Sequence, residues 1–206
     1  MPYTELNSSL IELYSQYNLT VKPLLALVKS KYQNGLLPPL LNELRAFNDH
    51  IAQCYLPDIS SNKIEVEIKS AENHLERIQL DSFKFLNVYF LEKIVLRFEK
   101  RTRFIDLTLV SNGEFYPKYK RQKKDAKICA RRAKEIERID KEAAMNFFQD
   151  AFNHYSNLEE LILSGKPEIK RITLKFWIGK FFNVILIIFA FVLSAIISTF
   201  ILCNIY

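Results

Sequence analysis

The sequence predicts an all-α protein: a bundle of long helices, expected to be cytoplasmic, followed by one C-terminal transmembrane helix. Three observations point there. Only four of the 206 residues are Gly and seven are Pro, which disfavours both an all-β fold and a disordered chain. Apolar residues recur at spacings of three and four through most of residues 1–163. Residues 181–206 carry no charged side chain. As a helix, about 26 residues rise about 39 Å, against a hydrocarbon core of about 30 Å.

The elements follow from the pattern. Leu6, Leu10, Leu13, Tyr14 and Tyr17 predict a helix over 4–17 capped by Thr4. Thr20 is expected to cap a second helix, with Pro23 in its first turn and Leu24, Leu25, Leu27, Val28 and Tyr32 as its apolar positions. Asn34-Gly35 stops it, and Leu36–Pro39 reads as a rigid link. A third helix over 40–55 should bury Leu41, Leu44, Phe47, Ile51 and Cys54, and Leu56-Pro57-Asp58 should end it. Ser60 or Ser61 caps a fourth, with Ile64, Ile68, Ala71, Leu75 and Ile78 on one face. From Phe83 to Phe98 apolar residues crowd all round, which predicts the most buried stretch of the bundle. Residues 101–110 read either as a short strand or as more helix, and Ser111-Asn112-Gly113 breaks the chain. A long fifth helix is expected from Pro117 to Leu163, ended by Ser164-Gly165-Lys166-Pro167. The expected domains are therefore 1–163, a basic juxtamembrane hinge at 164–175 and an anchor at 176–206.

The position of the span suggests a tail-anchored, single-pass protein of the inner (cell) membrane. Lys166, Lys170, Arg171, Lys175 and Lys180 precede the span, which predicts a cytoplasmic N-terminal domain. Trp177 and Tyr206 sit where amphipathic aromatics anchor at headgroups. Asn183, Ile187, Ala190, Ser194 and Ser198 fall on one helical stripe. Such a stripe suits a self-association seam or the wall of a pore. It also suits hydroxyls bonded to their own backbone and facing lipid.

Net charge is +6, which favours an anionic partner. Cys54, Cys129 and Cys203 form no metal or redox pattern, and Cys203 could be acylated. No signal peptide is recognisable in residues 1–19. No G-x-S-x-G, P-loop, GxGxxG or HExxH occurs, so neither a metal nor a cofactor is expected. The densest feature is a basic segment, 118–134. Nine of its 17 residues are Lys or Arg: Lys118, Lys120, Arg121, Lys123, Lys124, Lys127, Arg131, Arg132 and Lys134. Tyr116 and Tyr119 adjoin it and could stack on a base. Three readings stay open. The run could hold a nucleotide or oligonucleotide, with Lys118–Arg132 as its ligand-binding residues. It could bind an anionic leaflet. It could be a solvated face paired with Glu135, Glu137, Asp140 and Glu142 downstream.

Two resemblances add expectations. Arg45-Ala46-Phe47-Asn48-Asp49-His50, followed by His74-Leu75-Glu76-Arg77, resembles the HEPN superfamily of small helical domains over about Pro39–Phe98. There an R-x(4–6)-H motif forms a ribonuclease site across a dimer. The resemblance implies Arg45 and His50 as catalytic residues, although Ala46 stands where that family usually has a polar residue. The overall plan is similar to small single-span membrane effectors of bacterial anti-phage defence systems, in which a soluble domain senses a nucleotide signal and the membrane part forms an ion channel or pore. The expected function is a non-enzymatic homo-oligomeric effector of that kind, contacting lipid and a nucleotide or oligonucleotide. The alternatives are a membrane-tethered ribonuclease and a tail-anchored adaptor.

Overall fold

The computed structural model describes residues 3–32, 35 and 37–205, with side chains over 8–32, 35 and 37–197. Asn34, Leu36 and Tyr206, and the side chains of Thr4, Leu6, Ser198 and Cys203, lie outside the described residues. The described chain is helical: α1 (Tyr3–Gln16), α2 (Lys22–Lys31), α3 (Pro38–Gln53), α4 (Ser61–Tyr89), α5 (Arg97–Thr102), α6 (Phe115–Ile136) and α7 (Lys141–Ile205). A 3₁₀ segment, Leu107–Gly113, takes the place of the strand or helix expected over 101–110. The all-α expectation holds.

Two wide-turn, π-helical segments correct the sequence reading. Tyr17–Val21 joins α1 to α2 without a break, so Thr20 caps nothing. Phe90–Leu96 joins α4 to α5 in the same way. In an α-helix Leu13 and Val21 would stand about 80° apart, and Phe90 and Val95 about 140°. One extra residue in a wide turn takes about 100° out of that phase and returns both pairs towards one face. Leu13, Val21, Phe90 and Val95 are all buried. The crowding over 83–98 is therefore a phase shift and not all-round burial: Val88 and Leu96 are about half exposed.

The helix ends also differ in part. Pro38 and Pro39 form the first turn of α3, where their missing N–H groups cost nothing, so they begin a helix and do not link two. Leu40 is buried in place of the expected Leu41, beside Phe47, Ile51 and Cys54. Ser60 caps α4 by accepting from the Lys63 amide at 3.4 Å. The expected fifth helix is two. Residues 137–140 turn the chain, and the Asp140 carboxylate accepts from the Ala143 amide at 2.9 Å to open α7. Ser164–Pro167 do not end α7, which runs through them.

The chain forms two compact units. The first comprises residues 1–96 and 121–159. In it α3 packs along α4, and α1 and α2 pack on α4 as well. Val21, Val28, Phe47, Leu75, Ile78, Leu86, Phe90, Phe148, Tyr155 and Leu158 are its core. The Asn87 amide is buried there and donates to the Phe148 carbonyl at 2.9 Å. Lys31 reaches Glu159 at 3.0 Å and lies 4.9 Å from the Phe90 ring centre.

The second unit comprises residues 97–120 and 160–206. Phe98, Phe115 and Tyr119 form an aromatic trio with ring centres 5.3–6.0 Å apart. Gly165 explains why the expected stop is helical. A Cβ there would sit 2.9 Å from Phe115 Cε2, so this glycine serves a close approach and not a turn. Pro167 leaves the Leu163 carbonyl without its helical donor, at an exposed position.

Candidate functional site

The basic run lies on α6. Along this helix Phe115, Tyr119, Ala126 and Ala133 are buried. Lys120, Lys124, Lys127, Arg131 and Lys134, spaced four, three, four and three, form an exposed row on another face. The row is about 21 Å long. Arg121 and Arg132 lie beside it, about three turns apart. Lys118 pairs with Glu114 at 2.6 Å and Arg131 with Glu135 at 3.7 Å. Among the described residues Lys120, Arg121, Lys124, Lys127 and Arg132 make no ion pair, and Lys123 is half-buried.

Of the four downstream acids that could neutralise the run, two are engaged elsewhere and Glu135 takes Arg131. Glu137 binds Lys84 at 2.5 Å, and Asp140 caps α7. Burial pulls the Lys84 pKa down, but the hydrogen bonds from its ammonium to Glu137 and Asp81 outweigh it and hold the pKa above the usual value. Glu76, Arg77, Asp81, Lys84, Glu137, Lys141 and Glu142 rim a cavity of about 270 Å³ floored by Leu80 and Met145.

Of the two tyrosines expected to stack on a base, only Tyr116 is accessible. Tyr119 is buried, and its hydroxyl donates to Glu99 at 3.1 Å. Burial, reinforced by the Glu99 charge, pushes its pKa far up, so it stays neutral. Tyr116 and Tyr119 line a shallow cleft of about 460 Å³ with Arg103, Asp106 and Thr108.

Arg45 and His50 do not converge within the chain. Five residues apart on α3, they point about 140° away from each other. Arg45 is exposed, and neither Glu43 nor Asp49 pairs with it. His50 instead meets α4. Its Nδ1 lies 2.6 Å from Glu67 Oε2, and its ring stacks on His74 at 5.1 Å. His74 Nδ1 lies 2.6 Å from Glu43 Oε2, and Arg77 approaches the same carboxylate at 3.9 Å. Two carboxylate-held imidazoles therefore lie face to face between α3 and α4. His74 and both carboxylates were missed as site residues. The signal was present, because Glu43–His50 and Glu67–His74 are each seven apart, on one helical face.

The Cys54 and Cys129 thiols are poor nucleophiles. Burial first, and the Glu67 charge second, raise the Cys54 pKa; burial and Asp150 do the same for Cys129. Among the described residues no three His, Cys, Asp or Glu side chains are grouped to hold a metal.

Among the described residues one helix, α7, is long and apolar enough to cross a membrane. Its apolar part is exposed throughout its described side chains. Asn183, Ile187, Ala190 and Ser194 all lie on that exposed surface. Compared with known protein families, curated proteins and solved structures, the chain matches none.

Proposed function

We propose that this protein is a membrane-anchored, self-associating effector. Its helical N-terminal part takes up a phosphate-rich ligand, a nucleotide or oligonucleotide, along α6. The observation that carries the reading is the α6 row. Its cations are exposed and mostly unpaired, with Glu135 reaching Arg131 alone among the described residues. A row of like charges spaced three and four apart repels itself by a few tenths of a kcal/mol per pair, and a polyanion turns that cost into binding. The membrane part of the reading rests on α7, with five cations ahead of its uncharged stretch that favour a cytoplasmic N-terminal side. Asn183 needs a partner or water in hydrocarbon, and a second copy of the span or a pore supplies one. The output proposed is a change in membrane permeability.

The test is ion and dye flux from liposomes holding the full chain, with and without labelled oligonucleotides whose binding is followed by anisotropy. Flux that depends on bound oligonucleotide and disappears in Asn183→Leu/Ser194→Leu supports the whole reading. Binding without flux in any variant removes the pore and leaves a membrane-tethered sensor. Absence of binding at low salt overturns the ligand assignment.

A second reading, RNA cleavage, draws on the stacked His50–His74 pair, in which each imidazole is oriented by a carboxylate as an acid–base group requires. Full RNA cleavage by both His50→Ala and Arg45→Ala would dispose of it.

A further inference from the structure

The segment between α5 and α6 lies against the part of α7 that leads into the apolar stretch. At one end the Ser111 amide donates to Glu168 Oε2 at 2.8 Å. Three successive residues with left-handed backbone, Ser111, Asn112 and Gly113 (φ 52°, 53° and 92°), turn the chain there. At the other end Lys180 Nζ lies 5.8 Å from the centre of the Phe104 ring, and also 5.3 Å from Phe176 and 5.9 Å from Trp177. Arg103 covers the same Phe104 ring at 4.3 Å. From Glu168 to Lys180 a helix rises about 18 Å. Residues 104–111 therefore run along α7 down to the level of its last cation before the uncharged stretch.

This places apolar surface in an unusual position. Phe104 is 54% exposed, Leu109 59% and Trp177 54%. Arg101, Arg103, Lys175 and Lys180 are exposed around them. The acid at the tip, Asp106, is occupied by the amide and hydroxyl of Thr108, at 2.9 and 2.6 Å. Exposed aromatics ringed by snorkelling cations match the chemistry of the headgroup layer.

We propose that Arg103–Leu109 is a second membrane contact, a foot that enters the headgroup layer beside the span, with Arg103 and Lys180 holding the phosphate of an anionic lipid over Phe104. This rests on the reading of α7 as a membrane span. If Lys180 sits at the membrane surface, Phe104 is at the same depth. The foot would also fix how α7 rotates about its axis, because one side of the helix would carry a contact that the other lacks.

The single tryptophan makes the test direct. The full chain is reconstituted in phosphatidylcholine/phosphatidylglycerol vesicles as Trp177→Phe carrying either Phe104→Trp or Ile188→Trp. Quenching by brominated lipids is compared with quenching by aqueous acrylamide. The expected result is quenching of position 188 by bromines deep in the chains and of position 104 by bromines near the headgroup. At equal mole fraction, brominated phosphatidylglycerol should be preferred at position 104 by about five-fold per cation. Arg103→Glu/Lys180→Glu should abolish that preference. Position 188 quenched only by acrylamide would overturn the membrane reading and the foot with it. Position 188 quenched by lipid and position 104 only by acrylamide overturns the foot alone. Position 104 shielded from both quenchers assigns the face to protein, such as a second copy, and also overturns the foot. Equal quenching by the two lipids removes the anionic site.

Discussion

The α3–α4 seam and the α6 surface both gather ionisable side chains and treat them in opposite ways. Along the seam Glu43, His50, Glu67, His74 and Arg77 meet one another across two helices, and most are largely covered. Along α6 most of the cations face outward, and Lys120, Arg121, Lys124, Lys127 and Arg132 pair with no carboxylate among the described residues. Enclosed ionisable groups must arrive with partners, because an unpaired buried charge costs several kcal/mol. Exposed charges carry no such requirement, so a row left unpaired is available to another molecule. The first arrangement should therefore be read in stability and the second in binding.

The largest effect expected is on α6. Lys124→Glu/Lys127→Glu/Arg131→Glu should weaken oligonucleotide binding at least about a hundred-fold, while the melting temperature moves little, because surface changes usually stay within about 0.5 kcal/mol. In the wild type, five phosphate contacts to a single strand predict about a hundred-fold loss between 50 and 200 mM salt. A salt-independent affinity would end the analogy with polyanion binding. The reciprocal change, His74→Leu, leaves Glu43 with the more distant Arg77 at 3.9 Å and should cost about 1–3 kcal/mol in denaturant unfolding with oligonucleotide affinity unchanged. If affinity fell with it, the two regions would not be separable.

Smaller effects sharpen the contrast. Lys127→Ala should lower the slope of log affinity against log salt by about 0.7. Glu135→Gln releases Arg131 and should tighten binding by about two-fold or less, since exposed pairs contribute about 0–1 kcal/mol. The smallest is confined to alkaline pH. The Tyr119 hydroxyl keeps its proton in the folded chain after an unfolded tyrosine, near 10.0, has lost it. Above that pH the unfolded state binds fewer protons, so stability should fall as pH rises. Tyr119→Phe should remove that part of the decline, measured by unfolding between pH 9 and 11.

Much of this was readable residue by residue. Ser60, the Asn112-Gly113 break and the buried positions Phe47, Ile51, Leu75 and Ile78 follow from capping, backbone freedom and period. The turn at 137–140 was also signalled, by an Asp directly before Lys141-Glu142, and was hidden by the expectation of one long helix. The readings that failed share a cause. Thr20, Pro38-Pro39 and Ser164–Pro167 carry local signals that neighbouring turns or distant side chains overrule.

The sequence by itself determined that the chain is helical, that one stretch can span a bilayer and that nine cations crowd into one segment, because composition and local period suffice for each. Tertiary structure alone decided the rest. It set the phase of the core stripe through two wide turns. It gave Gly165 to Phe115, Glu137 to Lys84 and His50 to Glu67, and it laid Phe104 beside Lys180. Each of those depends on which residues, far apart in sequence, come within a few ångströms. Local pattern fixes how a segment coils, but the partner that a side chain meets is set by the packing of the whole chain.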